Sequence, residues 1–92
     1  MTASFASALV GSDGNLTSSQ HVASCDHTGT GSYMVNYDSN FSAVTGAQAT
    51  VWGDGLTVGL NIFAENTCQV NIQDANGNPK DAGFSFFVPG TT

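Results

Sequence analysis

His21, Cys25 and His27 are the side chains of this sequence best suited to chemistry, two imidazoles and a thiol in close succession. On one extended strand all three would face the same way, and Cys68 would complete a zinc ligand set of familiar type. Spacing argues against it. At about 3.3 Å per residue, His21 and Cys25 stand about 13 Å apart along a strand. Ligands must lie about 2.0–2.3 Å from one zinc ion. Only Cys25 and His27 can share an ion, and no further ligands stand out, so neither a metal nor a cofactor is expected. Cys25 and Cys68 are then either bridged or buried thiols. A bridge would contribute about 3–4 kcal/mol. The opening Met1-Thr-Ala-Ser-Phe5 has neither the basic nor the apolar part of an export signal. Reduced thiols packed as small apolar side chains are therefore expected.

Asp74, Asn76 and Asn78 alternate like the opening of a calcium loop. Such a loop needs Gly at its sixth position and Glu at its twelfth, and Pro79 and Ser85 stand there instead. Side chains capping a turn are the expectation. Nucleophilic catalysis would need a Ser or Cys beside a His and an orienting acid. His21 and His27 are the only histidines, and both fall in one predicted strand. Glu65, the only glutamate, stands beside Asn66 with no partner carboxylate nearby in sequence. No enzyme is expected. Sugar binding has more to work with: Trp52 adjoins the Gly53-Asp54-Gly55 turn, so an aromatic plane and a carboxylate lie together. The preferred reading makes Trp52 a core or interface anchor. The alternative is a glycan contact with Asp54 and the 74–78 turn. Asn15-Leu-Thr17 and Asn40-Phe-Ser42 match a glycosylation pattern that matters only on a eukaryotic secretory route.

The elements that must carry these residues all read as strands. Short runs rich in Val, Phe, Tyr and Thr alternate with clusters of Gly, Asn, Asp and Ser, without sustained helical periodicity. Strands are predicted over 4–10, 20–27, 32–38, 41–44, 47–52, 56–64, 68–73 and 84–88, with turns at 11–15, 28–31, 53–55 and 74–79. Tyr33, Val35 and Tyr37 share a face, as do Cys68, Val70 and Ile72. Seven or eight strands with short turns predict an all-β fold. It would be a single antiparallel β-sandwich over residues 1–92, jelly-roll-like or immunoglobulin-like.

Charge sets the partner class. Charged residues are only 9% of the 92 residues, hydrophobic ones 40%, and the net charge is −6 with Lys80 the sole basic group. Soluble domains are about a quarter charged. A chain with almost no cations cannot neutralise phosphates, which excludes nucleic acid and anionic lipid as partners. No apolar run approaches the roughly 18 residues of a membrane-spanning helix. The low charge predicts a surface meant to be covered, by further copies or by a larger assembly.

Two segments carry a resemblance. One is Gly29-Thr-Gly31-Ser-Tyr33-Met-Val35-Asn-Tyr37-Asp38; the other is Asp74-Ala-Asn76-Gly77-Asn78-Pro-Lys-Asp81-Ala-Gly-Phe84-Ser-Phe86-Phe87-Val88. Together with the Asp13-Gly14-Asn15-Leu16 turn, they resemble small β-sandwich modules of bacteriophage particles, in which the second segment would be a closing hairpin. The resemblance implies a non-enzymatic virion module, often a homotrimer. No long shaft precedes the strands, which favours a capsid-decorating (cement) protein over a tail-fibre tip. Such a protein would be made in the host cytoplasm and sit on the virion surface, bound to itself and to the major capsid protein or another virion protein. The alternative is a carbohydrate- or receptor-binding tip module of a tail fibre or bacterial surface protein.

Overall fold

The structure, a computed structural model, describes residues 3–37, 43–44, 46–64 and 66–91. The predicted 41–44 strand therefore lies partly outside the described residues, as do Asp38, Asn40 and Glu65. The described elements are β1 (Ala3–Val10), β2 (Leu16–Gln20), β3 (Val22–Gly29), β4 (Ser32–Tyr37), β5 (Ala43–Val44), β6 (Gln48–Val51), β7 (Thr57–Ala64), β8 (Thr67–Gln73) and β9 (Phe84–Thr91).

All pairings between these strands are antiparallel, and they build two sheets. The front sheet runs β2-β1-β9, with β5 and β6 sharing the far edge of β9; the back sheet runs β3-β4-β8-β7. The fold is an antiparallel β-sandwich, as the strand pattern predicts. β5 pairs with residues 90–91 of β9 and β6 with residues 84–87, so the two act as one interrupted edge strand. Pro89 faces that interruption. A proline has no N–H to give to a ladder, and here neither edge strand pairs with it.

The core lies between the sheets because both inner faces alternate strictly. Tyr33, Val35 and Tyr37 on β4 and Cys68, Val70 and Ile72 on β8 are buried from the back. Ala6, Ala8 and Val10 on β1 and Phe84, Phe86 and Val88 on β9 are buried from the front. The rings meet across the gap: Tyr33 lies 5.1 Å from Phe84, and Tyr37 lies 6.1 Å from Phe86. Among the described residues no charged side chain is buried.

Two connections differ from the sequence reading. The run predicted as one strand over 20–27 is broken at His21, which takes a left-handed backbone (φ 58°). There the chain leaves the front sheet as β2 and enters the back sheet as β3. β2 itself escaped notice because Thr17-Ser18-Ser19 has no apolar alternation. The 74–83 segment is not a closing hairpin either: it carries the chain from β8 in the back sheet to β9 in the front sheet.

Candidate functional site

The break at His21 disperses the candidate metal cluster. Nδ1 of His21 lies 2.8 Å from the Phe5 carbonyl oxygen, and its ring lies 5.9 Å from that of Phe5. His27, at the opposite end of β3, stacks on Tyr33 at 4.6 Å with Nε2 placed 2.8 Å from Asp81 Oδ1. No group of three or more His, Cys, Asp or Glu among the described residues is placed to hold a metal ion.

Cys25 and Cys68 are both free thiols. They share one row of the back sheet, each directly opposite Val35 from its own side. Two strand spacings put their Cα atoms about 9–10 Å apart, beyond the roughly 7 Å that a disulfide can span. Burial pushes the thiol of each up to about 11; the Asp26 carboxylate adds to the effect at Cys25. Neither is a nucleophile at neutral pH.

The carboxylates named by the motifs hold turns together. Asp13 accepts from the backbone N–H of Asn15 at 3.1 Å and from its side chain at 2.7 Å. Asp74 accepts from the N–H groups of Asn76 (2.9 Å) and Asn78 (3.0 Å) through one oxygen. Asp81 takes the Gly31 N–H at 2.6 Å. The Gly31 carbonyl in turn accepts from the Ile72 N–H at 2.7 Å, and Tyr33 donates its hydroxyl hydrogen to the Ser12 carbonyl at 2.6 Å. The Gly-x-Gly-x-Tyr and Asp-x-x-Phe motifs are thus halves of one clamp that joins three connections at one end of the sandwich. His27 belongs to this clamp. Among the described residues its hydrogen bond is to Asp81.

Trp52 continues the outward-facing row of β6. Its backbone N–H donates to the Gly83 carbonyl at 2.9 Å, and its indole N–H donates to Ser85 Oγ at 3.1 Å. The ring lies against Gly83, where an added Cβ would collide with it. One side of the indole is thereby fixed to the front sheet, and 45% of the residue stays exposed. Asp54 is exposed in the crossover that follows, and Asn76 and Asn78 are exposed in the 74–83 connection.

Trp52 has companions. The large exposed apolar residues among those described are Phe5 (38%), Leu9 (40%), Trp52 (45%) and Phe87 (40%). All four lie on the outer face of the front sheet. Phe5 and Leu9 point away from the buried Ala6, Ala8 and Val10 of β1, and Phe87 points away from Phe86 and Val88 of β9. Phe5 and Phe87 stack at 5.9 Å into a ridge. Beside it lies a shallow depression of about 310 Å³ lined by Ser7, Leu9, Ser18, Gln20 and Ser85. The strands of this sheet hold no Asp, Glu, Lys or Arg.

The back sheet has the opposite character. Its outer face is a hydrogen-bonded mesh: Asn36 donates to Ser24 Oγ (3.1 Å) and Asp26 Oδ2 (3.3 Å), Thr67 donates to Asn36 Oδ1 (3.3 Å), and Gln69 donates to Ser32 Oγ (3.3 Å). Such a face is at home in water.

Sequence reasoning singled out Trp52 but missed Phe5, Leu9 and Phe87. The signal was present. A solvated antiparallel strand alternates apolar with polar, yet 5–10 and 84–88 place large apolar residues in both phases. Searches against known proteins matched no family model, no curated protein and no solved structure.

Proposed function

We propose that the chain is a non-catalytic structural module that coats a larger assembly, in the form of a capsid-decorating protein that binds a phage shell as a trimer and stabilises it. The observation that carries this reading is the charge-free outer face of the front sheet, where the large exposed apolar side chains of the described residues gather. Monomers rarely leave such patches open, and a face of this kind marks a contact with protein. Trimeric attachment would multiply modest single contacts. The test is to add purified protein to empty shells. Co-sedimentation with a rise in shell melting temperature supports the reading, and free protein beside unchanged shells overturns it.

The exposure of Trp52 favours one second reading, a glycan- or receptor-binding tip. Glycan binding that disappears in a folded Trp52→Ala protein would establish it in place of the first.

A further inference from the structure

We infer that the outer face of the front sheet is where copies of this chain pack against one another, an inference that rests on the self-association in the proposal above and adds the surface and the occupant. Three observations select a second copy.

The first is charge. A chain of net charge −6 repels its own kind, yet the described charged groups lie away from this face. Asp13, Asp54, Asp74, Lys80 and Asp81 sit in the connections, and Asp26 lies on β3 of the back sheet. Neighbouring copies can meet across these faces without bringing the described carboxylates together. A cationic partner would find nothing here to pair with.

The second is shape. The Phe5–Phe87 ridge and the depression beside Leu9 lie side by side on one surface. The ridge of one copy can enter the groove of the next, a head-to-tail contact of the kind that closes a ring such as a trimer. The apolar centre is flanked by Ser18 and Gln20 on β2 and by Gln48 and Thr50 on β6, which supply donors and acceptors for a polar rim.

The third is size. β1 and β9 are 8 residues long, but β2 has only 5, β6 only 4 and β5 only 2, so with strands about 4.8 Å apart the footprint is about 430 Å² per copy. Two copies then cover about 860 Å², the size of a weak interface, which repetition in an oligomer multiplies. The polar mesh of the back sheet is left facing outward.

The experiment is light scattering at neutral pH over a range of concentrations, on wild type, Leu9→Asp, Phe87→Thr and, as control, Asn71→Asp on the back sheet. Circular dichroism and melting confirm that each is folded. Wild type is expected at a multiple of 9.4 kDa. Leu9→Asp and Phe87→Thr should weaken association by about tenfold or more, and Asn71→Asp should leave it unchanged. Phe87→Thr adds no charge and keeps a strand-forming residue, so it still tests the face if Leu9→Asp fails to fold. A monomeric wild type overturns the inference, including one whose front face takes up a saccharide or a shell protein instead. So does a folded Phe87→Thr protein that stays fully associated. Shell co-sedimentation is read separately, so an association that survives these substitutions would leave the decoration proposal standing.

Discussion

Asp81 Oδ1 accepts the backbone N–H of Gly31 at 2.6 Å, joining the β3–β4 hairpin to the crossover that brings the chain back to β9. The same oxygen lies 2.8 Å from His27 Nε2. Loop closure costs entropy that local contacts do not repay, so one carboxylate with two donors fixes a connection that turn residues alone would leave loose.

The bond makes stability depend on pH in one direction. The Gly31 N–H, and after it His27, hold the Asp81 carboxyl below its ordinary value. A carboxylate depressed in the folded state stabilises it above the ordinary pKa of about 3.9, and that contribution is lost as pH falls through the lowered value. Asp81→Asn should therefore melt below wild type at pH 7, and the two melting curves should converge as acid protonates the Asp81 carboxyl. A gap that stays constant with pH would show that the charge is not what matters.

Gly31 itself tolerates no side chain. Its φ is 69°, and an added Cβ would overlap the Ile72 carbonyl oxygen and stand 2.8 Å from Lys80 N. Gly31→Ala should cost about 2–4 kcal/mol through left-handed strain and the disturbed backbone bonds. Gly29 has open space around its Cα and no positive φ. Gly29→Ala should be neutral or stabilise by up to about 1 kcal/mol. Urea titration of both variants checks the contrast.

Reductant should not change the melting temperature, and intact mass without reductant should show both thiols protonated. With each pKa raised to about 11, only about one thiol in ten thousand is ionised at pH 7. Iodoacetamide should modify the folded protein slowly at pH 7 and the urea-unfolded protein far faster. A mass deficit of two hydrogens would refute the register that separates Cys25 from Cys68.

Trp52, the only tryptophan, reports on the front face. Trp52→Phe keeps the packing on Gly83 and loses the bond to Ser85, for about 0.5–1.5 kcal/mol. Trp52→Ala loses both, for about 1–3 kcal/mol. If copies meet across this face, wild-type indole emission should move to shorter wavelength as concentration rises. Emission that stays fixed from dilute to concentrated solution would place Trp52 outside any contact.

Residues such as Tyr33, Val35, Tyr37, Cys68, Val70 and Ile72 show how much of the fold was legible in advance. A side-chain period of two is local, so the inward face of β4 and β8 can be read directly from the chain. β2 could not be read that way, because its Ser and Thr residues become a strand only by pairing with β1. His21 is similar: no residue type in 20–22 demands a left-handed turn, and the crossing from one sheet to the other imposes it. Trp52 stood out beside its turn, and the two-phase apolar pattern of 5–10 and 84–88 was there to be read, but that these residues share one face was not. Membership of a face depends on which strands lie side by side.

The sequence by itself determined an all-β chain, the inward rows of its strands, the turn residues that join them and a surface short of charge. These follow from alternation, turn chemistry and composition, which act over a few residues or over the chain as a whole. Only the tertiary structure decided that Cys25 and Cys68 flank Val35 too far apart to bridge, and that Asp81 reaches Gly31. It also decided that Phe5, Leu9, Trp52 and Phe87 share one uncharged face. The reason is strand order. Which strands become neighbours is settled by how two sheets close over a common core, and no local pattern encodes that choice.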